Sequence, residues 1–415
     1  MPKKIIIVLL FLIAALTLVS CGKPVSVTGT IPISVPLGFV KSPYLLYTNN
    51  NTQMTVMWQT TGTTVAKIEW GQTAGYGAQA LVTESGSGTN QHQFSYTMTG
   101  LSPASRTYYK VTAGRSTATG SFLSAPAASA TTLTFYSYGD NRDGVNDHEN
   151  VLSQLLADMD IDPDNRQTFC LHAGDMVRYG EDEAFWVHFF PDVSDPNEIE
   201  FPSVLRVLAS LPNLVTIGNH DTYRSDHTLP THPGDLVRKY WPFTFYAHAN
   251  RSYYSFDYGP AHFIVLDQYC DSGSYTMESS AQYSWMVNDL TSTSKPWKIV
   301  MFHEPAWTAS TATGFSGDNL DVQRVLCPVF KDKGVKLVIQ GHAHYYARCN
   351  PPDGLTYLTL GGGGAMLSTP NPLAPSLTVT AEAFHFARFD IVNNTMDVTV
   401  INDSGAAIDS FTVTN

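Results

Sequence analysis

Five short polar clusters each follow an apolar run of strand length. LTFYSYGDNR places Asp140, Asn141 and Arg142 after the first run, and FCLHAGD places Asp175 after the second. NLVTIGNHD supplies Asn219, His220 and Asp221, KIVMFHE supplies His303, and KLVIQGHAH supplies His342 and His344. Two aspartates, an asparagine and three histidines make a mixed oxygen and nitrogen donor set. It is hard enough for iron or manganese and nitrogen-rich enough for zinc. Six such residues exceed what one ion uses, so two metals sharing a carboxylate is the economical reading. Two ions about 3.5 to 4 Å apart can clamp the attacking and leaving oxygens of an in-line displacement, which suits phosphoester hydrolysis.

For the clusters to meet, the elements before them must end on one side of a sheet. In open α/β sheets, ligand sites collect beyond the carboxyl ends of the strands. From residue 133 to 415 the pattern fits that demand, with strand-length runs alternating with amphipathic helical segments at 149–159, 183–190, 204–211, 281–290 and 320–331. The tail, 384–414, returns to β-rich segments. Residues 41–124 differ, showing short alternating segments such as Thr55 to Trp58, Val65 to Trp70, Phe94 to Met98 and Tyr108 to Val111. That is an all-β signature of sandwich size. The small-residue stretch APAASATT, 125–132, is the predicted linker.

The order GD, GD, GNHD, H, GHAH resembles the calcineurin-like metallophosphoesterases and, within them, the purple acid phosphatases. GLSPASRTYYKV, 100–111, resembles the corner-and-strand segment of fibronectin type III domains, with Thr107 where the first corner tyrosine is expected. A generic β-sandwich corner is the alternative. A sandwich before the catalytic domain recurs in the purple acid phosphatases. The resemblance therefore implies a fibronectin III-like β-sandwich followed by a four-layer αββα metallophosphoesterase domain. It implies a first metal on Asp140, Asp175 and His344, and a second on Asp175 as bridge with Asn219, His303 and His342. The metals implied are iron paired with zinc, manganese or iron. His220 would face the phosphate and leaving group as general acid, with Asp221 orienting it. A hydroxide activated by the metals would attack phosphorus without a covalent intermediate.

The chain departs from the family pattern twice. Many metallophosphoesterases carry a histidine two residues after the first aspartate, where this chain has Arg142. Purple acid phosphatases use a tyrosine three residues after the second aspartate, where this chain has Arg178, and Tyr179 follows one residue late. In an extended segment that shift reverses the side chain's face. On a helical turn Tyr179 still reaches the same surface, so it stays a candidate ligand beside a rim role. Arg142 and Arg178 are candidates for holding substrate phosphate, because guanidinium cannot ligate a cation but pairs with phosphate oxygens. A surface ion pair is the alternative for each.

Composition bounds the partners. A net charge of -12 with 14% charged residues argues against a general nucleic-acid binder. It does not argue against a small phosphate ester, since bound metals reverse the local field. Lys3 and Lys4 precede an apolar run from Ile5 to Val19, short for the roughly 20 residues of a membrane span. It reads as a signal peptide over 1–20, and its end, LVSC, resembles a bacterial lipobox. Cys21 would then be the lipidated N-terminus of an extracytoplasmic membrane-anchored lipoprotein, followed by a tether over 21–40. A buried helix is the alternative for the apolar run.

Cys170, Cys270, Cys327 and Cys349 allow three pairings, and Cys170 lies in an apolar run that suits a buried thiol. No Cys-x-x-Cys spacing supports a thiolate metal site. The run Gly361 to Gly364 lacks the Lys and Ser or Thr of a nucleotide loop and reads as a tight turn near the site. His172 reads as a packed strand histidine, while His148, His227, His232 and His385 lack partner spacing and read as structural or exposed. Phosphomonoester hydrolysis is the expected activity. A phosphodiesterase or nucleotide hydrolase on the same site is the alternative, and an inactive surface binding lipoprotein is the reading outside enzymes. The sandwich's protein partner stays open.

Overall fold

The computed structural model describes residues 38–87, 91–191, 201–226, 228, 233–270, 278–310 and 317–415. Cys21, the signal and lipobox stretch, residues 21–37 of the expected tether, His227 and His232 lie outside the described residues.

Eight strands come first: β1 (Phe39–Leu46), β2 (Met54–Thr60), β3 (Val65–Gly71), β4 (Ala78–Thr83), β5 (Gly86–Ser87), β6 (His92–Met98), β7 (Arg106–Ala113) and β8 (Ser116–Leu123). They form two four-stranded sheets, β1-β2-β6-β5 and β4-β3-β7-β8. The alternation read from the sequence is literal in β7, where Thr107, Tyr109, Val111 and Ala113 point inward. Trp58 stacks on Phe94 at 5.3 Å in the core between the sheets. β1 begins at Phe39, and both Phe39 and Val40 are buried, so the last two residues of the expected tether belong to the sandwich.

The second part runs β9 (Thr132–Tyr138), α1 (Val145–Met159), α2 (Pro163–Arg166), β10 (Cys170–His172), α3 (Pro202–Ser210), β11 (Asn213–Val215), α4 (Asp235–Tyr240), β12 (Tyr254–Tyr258) and β13 (Ala261–Val265). It continues with α5 (Ala281–Ser292), β14 (Trp297–Met301), α6 (Cys327–Asp332), β15 (Leu337–Gln340), β16 (Tyr346–Cys349), β17 (Thr356–Leu360), β18 (Leu377–Ala381), β19 (His385–Val392), β20 (Thr395–Asn402) and β21 (Ala407–Thr414). Two mixed sheets result, β11-β10-β9-β19-β20-β21 and β12-β13-β14-β15-β17-β16-β18. Their inner faces meet through aromatic side chains: Phe135, stacked on Phe389 of its own sheet at 4.5 Å, meets Phe263 of the other edge-on at 5.3 Å. Helices α1 and α3 cover the first sheet, and α5 and α6 cover the second with Met286, Leu290 and Phe330. This is the expected αββα order of layers. The strands β9, β10 and β11 are parallel, as are β13, β14, β15 and β17, so five of the loops at their carboxyl ends carry the five polar clusters.

Two helical expectations change. Glu183–His188 is a 3-10 turn, and the 320–331 segment passes through a π-turn at Val322–Leu326 before α6. Pro328 lacks an N–H and crowds the carbonyl four residues back, and the wider turn accommodates it. All four described cysteines are buried and free, so none of the three pairings forms.

The sandwich packs directly on the α/β layers. The Tyr44 hydroxyl donates to Tyr240 O at 3.0 Å, and the Tyr109 hydroxyl to Ala209 O at 2.9 Å. Opposite Tyr109, Gly120 leaves room that a Cβ would fill, 2.5 Å from the hydroxyl. A tyrosine from the corner segment is thereby spent on the neighbouring layer.

His262 of β13 clips β12 to α5, with Nδ1 2.8 Å from Asp257 Oδ1 and Nε2 2.9 Å from Asp289 Oδ2. Burial opposes its charge, but the hydrogen bonds to Asp257 and Asp289 outweigh burial and raise its pKa to about 8. The folded value exceeds the unfolded one, so the stabilisation is complete below about pH 6.5 and disappears as pH rises through 8. His262→Gln should therefore lower the urea midpoint more at roughly pH 6 than at roughly pH 9. Equal losses at both pH values would show that the charged clip contributes nothing.

Candidate metal centre

The strand-end loops hold unusual backbone. Asp140, Asp175 and His342 have φ of 61, 56 and 68°, in the left-handed region that non-glycine residues rarely enter. Each conformation turns the chain sharply just beyond its strand. The loops are then tied together: Asp140 N–H donates to Gly174 O at 2.9 Å, Arg142 N–H to Asp175 O at 3.2 Å and Gly341 N–H to His303 O at 2.9 Å. Backbone approaches the carboxylates closely. A Cβ on Gly218 would collide with Asp175 Oδ1, and one on Gly341 would lie 2.6 Å from Asp140 Oδ2. Gly363 N–H donates to Gly139 O at 2.8 Å, so the Gly361 to Gly364 run is a close-packed turn against the Asp140 loop.

The side chains converge. Ligand atoms of Asp140, Asp175 and His344 all lie within 4.8 Å of one another. On the other side of Asp175, His303 Nε2 lies 3.4 Å from Asp175 Oδ1 and 3.2 Å from Asn219 Oδ1, and His342 Nδ1 lies 3.0 Å from Asn219 Oδ1. Asp175 therefore faces both groups of donors. His303 donates Nδ1–H to Ala173 O at 2.7 Å, and His344 donates Nδ1–H to Met366 O at 2.8 Å. Those bonds turn the Nε2 atoms toward the cluster, the orientation in which an imidazole that gives up its Nε2 proton can ligate a metal.

Electrostatics points the same way. Asp140, Asp175 and His303 are wholly buried. Burial, reinforced by Asp175, pushes the Asp140 carboxyl up to about 8. Burial disfavours charge on His303, but Asp175 and Asp140 overcome it and raise the imidazole to about 10. Asp175 itself is held low, because His303 outweighs its burial. As protein alone, the cluster takes up protons to offset its negative charge. Metal cations supply the same charge directly, and the oxygen and nitrogen donors fit them.

Other residues hold this set without touching its centre. The Asp221 carboxylate accepts the backbone N–H groups of Asp175 at 2.8 Å, Met176 at 2.9 Å, Val177 at 3.4 Å and Gly218 at 2.9 Å. The expected Asp221–His220 contact is thus corrected. Asp221 braces the Asp175 loop, while His220 is oriented by Nδ1–H donation to Arg178 O at 3.0 Å. His172 does more than pack. Its Nδ1 accepts from Gly174 N–H at 3.2 Å, its Nε2 bonds Asn141 Oδ1 at 2.7 Å, and Asn141 Nδ2 donates to Met176 O at 3.1 Å. His148 and His385 are buried, beside the Tyr138 hydroxyl and Ala383 O respectively.

The centre opens into a cleft of about 470 Å³ lined by Arg142, Asp175, Asn219, His220, His342 and His344, and also by Thr308, Tyr345, Ser368 and Asn371. Arg142 Nε lies 3.4 Å from Asp175 Oδ2 and Nη2 lies 3.2 Å from His344 Nε2. Arg178 instead forms an exposed ion pair with Asp143 at 3.3 Å, the alternative weighed for it. The Tyr179 ring packs edge-on against Phe185 at 4.9 Å, with the Arg178 guanidinium 5.7 Å from its centroid. A larger cleft of about 630 Å³ contains His262 and none of these residues.

Fold and site together define a metallophosphoesterase. Residues 137–346 match the calcineurin-like phosphoesterase family, and the chain belongs to it. Within that family it is similar to purple acid phosphatase 18 of Arabidopsis thaliana, 30% identical over 47% of this chain and 47% of the relative. It is also similar to the purple acid phosphatase of Glycine max, 28% identical over 46% of each. The matched region spans about half the length of these curated relatives. Among solved structures, the purple acid phosphatase PPD1 from yellow lupin seeds superposes with a TM-score of 0.70 at 16% identity, covering 90% of this chain and 74% of that one. PhoD superposes at 0.62 and 12% identity, covering 90% and 92%. At those identities the structural likeness establishes the fold.

Removing the Asp221 carboxylate strands several buried N–H groups at once. Asp221→Ala should lower the unfolding free energy by about 3 kcal/mol or more in denaturant titrations and reduce metal uptake. A loss under about 1 kcal/mol would show that the brace is dispensable.

Proposed function

We propose that the protein is a dinuclear metal-dependent phosphatase that hydrolyses small phosphate monoesters. The observation that carries this reading is the convergence of Asp140, Asp175 and His344 donor atoms within 4.8 Å, next to Asn219, His303 and His342. Asp140, Asp175 and His344 would hold one ion, and Asp175, Asn219, His303 and His342 the other, with iron, zinc and manganese all suited to these donors. Bound metals supply Lewis acidity and make water a competent nucleophile near neutral pH.

The chain's own groups do the rest. Arg142, at the cleft wall, pairs its guanidinium with the phosphoryl oxygens. His220 is half-buried with Nδ1 tied to Arg178 O, which leaves Nε2 to donate a proton to the leaving oxygen. Asp221 acts through the loop it braces. Tyr179, engaged with Phe185 and Arg178, belongs to the rim in this reading, so ferric protein should lack a tyrosinate absorption band. The cleft lining also includes the neutral hydroxyl and amide residues Thr308, Ser368 and Asn371, which suit a small polar leaving group.

The placement we propose is extracytoplasmic, on a lipid anchor at Cys21, and it rests on the LVSC sequence alone. Among the described residues no helix is long and apolar enough to cross a membrane. Labelled fatty acid should enter the full chain and not Cys21→Ala, and labelling of both would refute the assignment.

Metal-loaded protein should cleave an aryl phosphate faster than a bis-aryl phosphate. His220→Ala should keep its metal and lose about a hundredfold or more in kcat on an ester with a poor leaving group. Faster diester cleavage would make the protein a phosphodiesterase, and cleavage of neither ester with any of the three metals would end the enzymatic reading.

A further inference from the structure

We propose that the sandwich takes part in catalysis through Lys41 of β1, which acts with Glu183 as a positioning residue for His220. This rests on the reading of His220 as the group that faces the leaving oxygen.

Lys41 is almost wholly buried, at 4% exposure, an unusual place for an ammonium without fixed partners. Its Nζ donates to Gln59 Oε1 at 2.8 Å and Glu183 Oε1 at 3.2 Å, and it lies 4.7 Å from the Tyr240 ring centroid. Glu183 also accepts from Lys239 Nζ at 2.6 Å and from the Tyr240 hydroxyl. Lys41 is buried and Glu183 half-exposed, and so many hydrogen bonds on one carboxylate narrow its geometry. The sandwich, together with Lys239 and Tyr240 of α4, therefore holds Glu183 in place.

Glu183 begins the 3-10 turn Glu183–His188, and that turn holds the strap that cradles His220. Buried Trp186 donates Nε1–H to Gly180 O at 2.9 Å. Gly180 N–H donates to His220 O at 2.9 Å, and Glu181 N–H to Tyr223 O at 3.1 Å. Arg178 O receives the His220 ring proton, and the Tyr223 ring stands edge-on to His220 at 5.2 Å. Segment 178–183 and segment 220–223 are thus bonded at three points. There is no slack between them, because a Cβ on Gly180 would collide with the Asp221 backbone oxygen. Asp182 Oδ2 accepts from Ser225 N–H at 2.7 Å and extends the same fastening. Releasing Glu183 frees the strap at the end remote from the metals, so the His220 ring shifts while the ligand set stays in place.

The test uses the metal-loaded full chain and two esters, one with a good leaving group, 4-nitrophenyl phosphate, and one with a poor one, an alkyl phosphate. A misplaced proton donor slows the poor leaving group selectively. Lys41→Met should lose about tenfold in kcat on the alkyl ester and less than about twofold on the nitrophenyl ester, with metal content unchanged. Lys41→Arg should restore most of the loss, and Glu183→Gln should repeat the selective loss should Lys41→Met fail to fold. Equal losses on both esters, or none, would overturn the positioning role. His220→Ala is the reference. If it discriminates between the esters and neither Lys41→Met nor Glu183→Gln does, the sandwich's role is wrong and the site reading survives. If His220→Ala itself fails to discriminate, the site reading falls and takes this inference with it.

Discussion

Two buried carboxylates, Asp140 and Asp175, are the constraint on which the rest of the molecule depends. Burying a carboxylate costs several kcal/mol unless opposite charge and hydrogen bonds replace the lost water. The protein supplies part of that replacement: His342 N–H donates to both Asp140 oxygens at 3.0 and 2.9 Å, and His220 N–H to Asp175 Oδ1 at 2.9 Å. The remaining demand is for positive charge. His303 responds by binding its proton far more tightly than an imidazole in water, which is the local field that also attracts metal cations.

Holding that field in place is a backbone problem. Three residues of the centre adopt left-handed φ, and such conformations persist only where the surroundings over-determine them. Here the surroundings are Asp221, whose carboxylate gathers backbone donors from two loops, and His172 with Asn141, which bond one loop to the next. The parallel strands bring the loops together, the two sheets lock through phenylalanines packed edge-on, and the sandwich grips the whole through Tyr44, Tyr109 and Lys41. Each layer outward acts by limiting the movement of the layer inside it.

Much of this was legible in the sequence because a strand followed at once by a polar cluster announces both its direction and its site. The clusters at 140–142, 175, 219–221, 303 and 342–344 required no long-range knowledge to be grouped, since parallel topology brings such ends together. What escaped was the choice of partner for each polar atom. Asp221 sits next to His220 in the chain yet turns to the Asp175 loop, and nothing in GNHD distinguishes the two outcomes. Tyr179 was ambiguous because its face depends on whether the segment is extended or turned, and only the fold shows its ring on Phe185. Lys41 and Glu183 are 142 positions apart, so their pairing has no local signature. The π-turn before Pro328 and the start of β1 at Phe39 are boundary effects, set by tertiary packing more than by local pattern.

The central claim is that the buried carboxylates hold two metal ions with Asp175 between them. Anomalous diffraction from crystals grown with manganese or zinc tests it most directly. The account predicts two peaks about 3.5 to 4 Å apart, one bounded by Asp140, Asp175 and His344 and the other by Asp175, Asn219, His303 and His342. A single peak, or none within reach of Asp175 at saturating metal, would contradict it.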